Sequence, residues 1–393
     1  MKDNNKRKIN EMMDSPSPNT IEKKYKSNTI INGMTYFNRE IKDIDDLIFL
    51  GSQYRVGKKY NINVEKLYKL IPVLTKLKKV IGMETVKKTI VNQIIYFIQD
   101  FQDKNSDMLH TVIQGPPGVG KTMLGEIIGE IYYRLDIIES PSKTSYKSKS
   151  SRCCSATSAT SDDDKFDSKS DSKSDSEFKF TIAKRSDLIG KYLGQTAAKT
   201  QEVINKSLGG VLFIDEAYSL GNPEGRDSYS KECIDTLNQN LTEKKNQLLV
   251  IIAGYKNALD DCFFAYNEGL RRRFPFVYTI EKYSPLEMSN ILKKMIENLG
   301  QDWSLDIDHK VLDKYFEKNI DLFPNSAGDI ETLVFSIKIE HSKRVFCQEP
   351  GSKLRKKITK TDIDNALETY KINKEKKEKK KDEIPQHLQH MYI

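Results

Sequence analysis

A chain of 393 residues, 37% hydrophobic and 31% charged, is long enough for one large core or two modest ones with solvated tails. Its net charge of +8 rests largely on Lys and Arg in the tails, which argues against a nucleic-acid-binding face, because that needs basic charge on a folded surface. No apolar run reaches membrane-spanning length, and no apolar stretch follows the basic start, so neither a membrane helix nor a secretory signal is expected.

Residues 1–28 are polar, interrupted by Pro16 and Pro18, and read as a disordered arm. Lys6-Arg7-Lys8 within it leaves nuclear import open beside the expected cytoplasmic location. Residues 29–79 read as an N-terminal helical segment. It has a short helix at 41–47 and a stronger one at 63–77, with Val64, Leu67, Leu70, Ile71 and Leu74 on one face. A further helix is expected over 84–102. From 80 to 283 strands and helices alternate. The strands fall at 111–114, 178–183, 210–214, 248–253 and 276–280, and the helices at 121–133, 196–207 and 231–241. Continuous apolar strands alternating with helices predict an α/β domain, a parallel five-stranded sheet covered by helices. Residues 140–177, rich in Ser, Lys and Asp, have almost nothing apolar to bury. They read as a disordered insertion, either bare linker or a phosphorylated arm. Helices at 286–299, 307–318, 328–345 and 360–370 predict a small all-α domain over 284–371, followed by a charged tail to 393. The five cysteines are odd in number and lack zinc-ligand spacing, so reduced thiols are expected; adjacent Cys153 and Cys154 are the one conceivable redox pair.

The chemistry lies in three places. Gly115-Pro116-Pro117-Gly118-Val119-Gly120-Lys121-Thr122 joins a strand to a helix in the pattern G-x-x-x-x-G-K-[ST]. Glycines let backbone N–H groups cradle phosphates at a helix N-terminus. Lys121 then reaches the β- and γ-phosphates, and the Thr122 hydroxyl ligates Mg2+. The apolar strand Gly210–Ile214 delivers Asp215 and Glu216 to the sheet's carboxyl edge, where Asp215 would hold the metal and Glu216 orient and deprotonate water. Gly269-Leu270-Arg271-Arg272-Arg273-Phe274 carries three arginines that one subunit cannot cheaply bury. In a ring, Arg273 or, second, Arg272 would reach the neighbour's γ-phosphate; the alternative is a solvated basic turn.

Together these elements resemble AAA+ ATPases. The strings Asp187-Leu188-Ile189-Gly190-Lys191-Tyr192-Leu193-Gly194-Gln195-Thr196 and Gly209–Leu220, with Ala253-Gly254-Tyr255 and the arginine turn, look like one branch of that class. It is the CfxQ/CbbX branch, which holds the red-type rubisco activases and stage V sporulation protein K. The resemblance spans about Val80 to Tyr370, the insertion excepted. It implies a P-loop AAA+ module with a helical lid domain, ATP and Mg2+ as ligands, hydrolysis to ADP and phosphate, and a homo-oligomeric ring, expected to be a hexamer. It further implies a pore loop at Tyr192-Leu193-Gly194 that grips a polypeptide, a second pore loop within 221–229, and adenine contacts at Val80-Ile81-Gly82. Physically, a ring of tyrosines gives flat, adaptable contact area, though a tyrosine packed at a helix start is the plainer reading.

Two positions depart from the pattern. Tyr255 stands where a polar sensor is usual, with Asn257 a substitute only if the loop is shifted, and Glu331 stands near the usual place of a sensor arginine. Either the γ-phosphate is sensed by other groups or the coupling of hydrolysis to motion is altered, and a slow ATPase is the expectation. The leading functional reading is a ring that remodels a protein client. An ATP-gated assembly scaffold is the alternative, and a nucleic-acid-directed motor a weaker one, since no base-stacking platform is visible.

Overall fold

The structure, a computed structural model, describes residues 29–31, 33–103, 106–139, 178–192, 194–221, 227–349 and 352–382. The arm at 1–28, the Ser-rich insertion with Cys153 and Cys154, Leu193 of the expected pore loop and residues 222–226 lie outside them. The chain divides into two compact units. One takes the described residues up to Lys78 together with Lys87–Asp103; the other takes Lys79–Val86 and the described residues beyond Asp103.

The first unit contains β1 (Thr29–Ile31), β2 (Met34–Tyr36), α1 (Ile44–Ser52), β3 (Lys59–Tyr60), α2 (Val64–Lys78) and most of α3 (Glu84–Ile98). β1 pairs antiparallel with β2, and β2 pairs parallel with β3. Asp43 caps α1 by accepting from Asp46 N–H at 2.9 Å. Leu47 and Leu50 of α1 are buried, as are Leu67, Leu70, Val73, Leu74 and Leu77 of α2 and Ile90, Ile94 and Phe97 of α3. Val73 and Leu77 thus join the predicted face, while Ile71 is only half-buried. The segment read as helical also holds three strands of two or three residues, too short for an alternating pattern to register.

In the second unit β4 (Thr111–Gln114) leads into α4 (Lys121–Arg134). β5 (Phe180–Ala183), α5 (Arg185–Leu188), α6 (Thr196–Ser207), β6 (Gly210–Ile214), α7 (Ser228–Glu243) and β7 (Leu248–Gly254) follow. Short helical turns over 256–266, α8 (Glu268–Arg271) and β8 (Phe276–Thr279) complete the α/β part. The five strands form one parallel sheet in the order β5-β6-β7-β4-β8. Every residue of β6 and β7 is buried, which is why both read as unbroken apolar runs. Ile204, Leu212, Ile214, Leu237, Val250 and Ile252 share one core. On α4, Gly125 permits close approach to the sheet: a Cβ there would lie 2.5 Å from the Phe213 ring.

The C-terminal part is helical, with α9 (Pro285–Glu297), α10 (His309–Lys318), α11 (Ala327–Val345) and α12 (Lys360–Asp382). Ser284 and Glu287 close a capping box at the start of α9. This part also carries a parallel two-stranded pair, β9 (Ser304–Asp306) with β10 (Lys357–Thr359), so it is helical but not purely so. Helix α12 runs beyond Tyr370 to Asp382, because a Lys/Glu-rich tail is made of good helix formers. Asp362, at the start of α12, is buried and accepts from Arg344 at 2.8 and 2.9 Å, with His341 Nδ1 3.1 Å away. Burial alone would raise its carboxyl. The Arg344 guanidinium, the Thr359 N–H and His341 outweigh that and hold it down at about 2.

Candidate nucleotide-binding site

The loop between β4 and α4 turns twice through left-handed backbone, at Gly118 (φ 69°) and Gly120 (φ 85°). Gly120 caps α4 without a side-chain hydrogen bond, leaving first-turn N–H groups of the helix for a ligand. Lys121 is buried; its Nζ donates to Gly115 O at 3.1 Å and Pro116 O at 2.9 Å and lies 5.2 Å from the Tyr255 ring. Burial lowers its pKa, while the charges of Glu216 and Asp215 push the other way. Thr122 follows in the first turn, half-buried, and Val119 is fully buried. The Tyr283 hydroxyl donates to Val119 O at 2.9 Å. The start of α11 also lies against the loop: Ala327 N–H donates to Gly118 O at 3.2 Å, and a Cβ on Gly118 would fall 2.1 Å from Asn325 O.

Asp215 and Glu216 follow β6 directly. Asp215 N–H donates to Ala183 O at 3.1 Å, continuing the sheet by one residue. Asp215 is half-buried and Glu216 exposed, with Glu216 in the left-handed region (φ 52°). Tyr255 follows β7, as its place in the sequence implies, and Gly115 N–H reaches Gly254 O at 3.1 Å. The phosphate loop, the paired carboxylates and Tyr255 therefore meet at one edge of the sheet, beyond the carboxyl ends of three adjacent strands.

The remaining sequence candidates are placed less uniformly. Ile81 and Gly82 are half-buried, and Gly82 backs onto the Glu287 carboxylate. A cavity of about 180 Å³ nearby is lined by Met83, Thr85, Val86, Ile280, Tyr283 and Glu287, but neither Ile81 nor Gly82 lines it. In the arginine turn, Arg271 pairs with Asp260 and lies over the Phe264 ring at 4.5 Å. Arg273 donates to Thr242 Oγ1 at 3.0 Å and Gly269 O at 2.8 Å, whereas Arg272 is exposed. Tyr192 is 69% exposed, and Gly194 (φ 83°) has open space around it. Glu331 is exposed on α11, one turn beyond the residues that touch the loop.

Sequence reasoning missed Arg185, which donates to Ser219 O and, at 2.7 Å, to Asp227 Oδ2, the carboxylate whose other oxygen caps α7. It also missed the roles of Tyr218 and Tyr283, because a single aromatic in a turn carries no spacing signal.

A parallel sheet with a phosphate loop and paired carboxylates at its carboxyl edge defines a P-loop nucleotide-binding domain. The family model for the ATPase family associated with various cellular activities (AAA) matches residues 168–281. A putative cfxQ-like protein of Acanthamoeba polyphaga mimivirus is 38% identical over 346 residues, which span 87% of this chain and 74% of that protein. Stage V sporulation protein K of Bacillus subtilis is 30% identical over 239 residues, 59% of this chain and 62% of that protein. The chloroplastic ribulose bisphosphate carboxylase/oxygenase activase of Cyanidioschyzon merolae is 28% identical over 288 residues, 71% of this chain and 84% of that protein. Among solved structures, the FIGL-1 AAA domain in complex with ADP aligns over 74% of this chain and 83% of that chain, at 19% identity and a TM-score of 0.48. The chain belongs to the CfxQ/CbbX-like branch of the AAA+ ATPases.

Proposed function

We propose that the chain binds Mg-ATP at residues 115–122, hydrolyses it to ADP and phosphate, and works as a homo-oligomeric ring, a hexamer, that remodels a protein client. The observation that carries the reading is the meeting of Lys121, Asp215 and Glu216 at one sheet edge, where both carboxylate charges reach the lysine.

The residues fit such a ligand. Gly118 and Gly120 shape an uncapped helix start, and Lys121 supplies a cation that here donates to carbonyls of its own loop and lies over the Tyr255 ring. Thr122 and Asp215 would hold the metal, a hydroxyl and a carboxylate being the usual protein share of such a site. When bound, Mg2+ supplies positive charge against the phosphate oxygens. Lys121 turns from its loop carbonyls to the phosphates, and Glu216, exposed at the edge, orients water and takes its proton. Arg273, with Arg272 second, serves the neighbouring subunit's site. The exposure of Arg272 supports a contact in trans, while Arg273 must first leave Thr242 and Gly269. The exposed Tyr192 supports a pore-loop role for 192–194.

Glu216→Gln keeps shape and removes the base. It should bind ATP as wild type does and lose at least about a hundredfold in phosphate release, the scale of general-base catalysis. Undiminished turnover would overturn the assignment. The same variant, held in ATP, is a trap from which the client can be recovered. The second reading, an ATP-gated scaffold with slow hydrolysis, is favoured by Tyr255 in the sensor position and by Glu331.

A further inference from the structure

Tyr218 lies in a 3-10 turn, Ala217–Leu220, directly after the paired carboxylates, and buried Ala217 and Leu220 pin that turn to the core. Its hydroxyl donates to Oε2 of Glu216. Its ring stands against Tyr255, with centroids 5.4 Å apart and planes at 40°. Gly254 leaves room for this: a Cβ there would lie 2.9 Å from Cδ1 of Tyr218. Tyr255 in turn presents its ring to Lys121 Nζ at 5.2 Å. Glu216, Tyr218, Tyr255 and Lys121 thus form one run of side chains across the ends of β6, β7 and β4, which are neighbours in the sheet.

We propose that Tyr218 is a positioning residue for Glu216: its hydroxyl fixes the carboxylate, and its ring, braced on Tyr255, ties that carboxylate to Lys121 where other AAA+ chains use a polar sensor. The proposal rests on Glu216 acting as the base, as set out above. A polar sensor would touch phosphate or water from the end of β7. Here the end of β7 offers an aromatic face, and the hydrogen bond to the base comes instead from the turn after β6.

Donor and acceptor are two residues apart, and the turn that carries the donor is pinned to the core, so the hydroxyl is held beside the carboxylate. The bond engages Oε2 alone, on a side chain that is otherwise exposed. The phenol keeps its proton through the working pH range, since burial first, and then the Glu216 charge, raise its pKa above the usual value. The other charged and titratable groups facing it are Asp215 and Tyr255, and both push in the same direction.

The test is steady-state ATP hydrolysis by the full chain with Tyr218→Phe, which keeps the ring stack and deletes the hydroxyl. Loss of one hydrogen bond to a charged group should lower kcat about tenfold while KM for ATP and the melting temperature stay at wild-type values. In a Glu216→Gln background the same change should have no further effect, because the two residues act as one unit. Wild-type or raised kcat in Tyr218→Phe, with Glu216→Gln inactive, overturns the positioning role and leaves Glu216 as the base. A fall in the residual rate of the double variant equal to that of the single one overturns it too. Full activity in Glu216→Gln, or an inactive wild type, overturns both proposals together.

Discussion

Glu216 and Gly118 both hold left-handed backbone at the site, one with a side chain and one without. For Glu216 that conformation costs on the order of 1 kcal/mol and persists because Asp215 N–H is fixed to β5 and buried Ala217 and Leu220 anchor the following turn. At Gly118 the geometry bears directly on ligand binding. Gly118→Ala would strain φ and drive a Cβ into Asn325 O, so the loop and the start of α11 cannot both keep their places. The expected result is at least about a tenfold loss of affinity for a fluorescent ADP analogue, with a stability loss of about 1–2 kcal/mol in urea unfolding. The glycines, Lys121, Asp215 and Glu216 were legible in the sequence because each belongs to a spacing that phosphate chemistry imposes. Tyr218 and Tyr283 were not, since their partners are a carboxylate two residues away and a carbonyl 164 positions away in the chain.

At the scale of elements, what could be read was what repeats. β6 and β7 are apolar throughout, and α6 spans Thr196–Ser207 just as its periodicity predicts. The pair β9 and β10 left no trace, because three residues cannot show an alternation and their partner lies some fifty residues away. That pair ends beside Asp362, and the ion cluster there makes a stability prediction. Asp362 titrates near 2 in the fold against a reference of 3.8, so its contribution is complete above about pH 4 and is lost as pH falls from there towards 2. Asp362→Asn should therefore cost up to about 2 kcal/mol at neutral pH. It should also flatten the stability profile between pH 4 and 2 in urea titrations; an unchanged profile would remove the cluster from the account.

At the scale of the molecule, the ring reading and the scaffold reading part at Tyr192. A tyrosine with 69% of its surface exposed beside a glycine in open space contributes little to the fold of a single chain. Tyr192→Ala should leave the melting temperature, ATP turnover and assembly by sedimentation unchanged within error. Client remodelling, assayed on a protein recovered with the Glu216→Gln trap, should fall by about tenfold or more, the weight of a central aromatic contact. A scaffold would lose nothing. The parallel five-stranded sheet and the place of the nucleotide loop after its first strand were foreseeable at this scale, whereas the order of the strands and the first unit's mixed strands and helices were not, the sequence pattern of that unit being irregular from 29 to 60.

The hydrogen bond from Ala327 N–H to Gly118 O joins the helical part to the phosphate loop through main chain alone. A connection of that kind is indifferent to side-chain drift: every residue but proline brings the same donor to position 327. Proline itself would sit comfortably at the first position of α11, so the helix would survive the one substitution that silences the contact. With Glu331 exposed on the same helix, the helical part is thus in touch with the loop through main chain and needs no arginine to reach it.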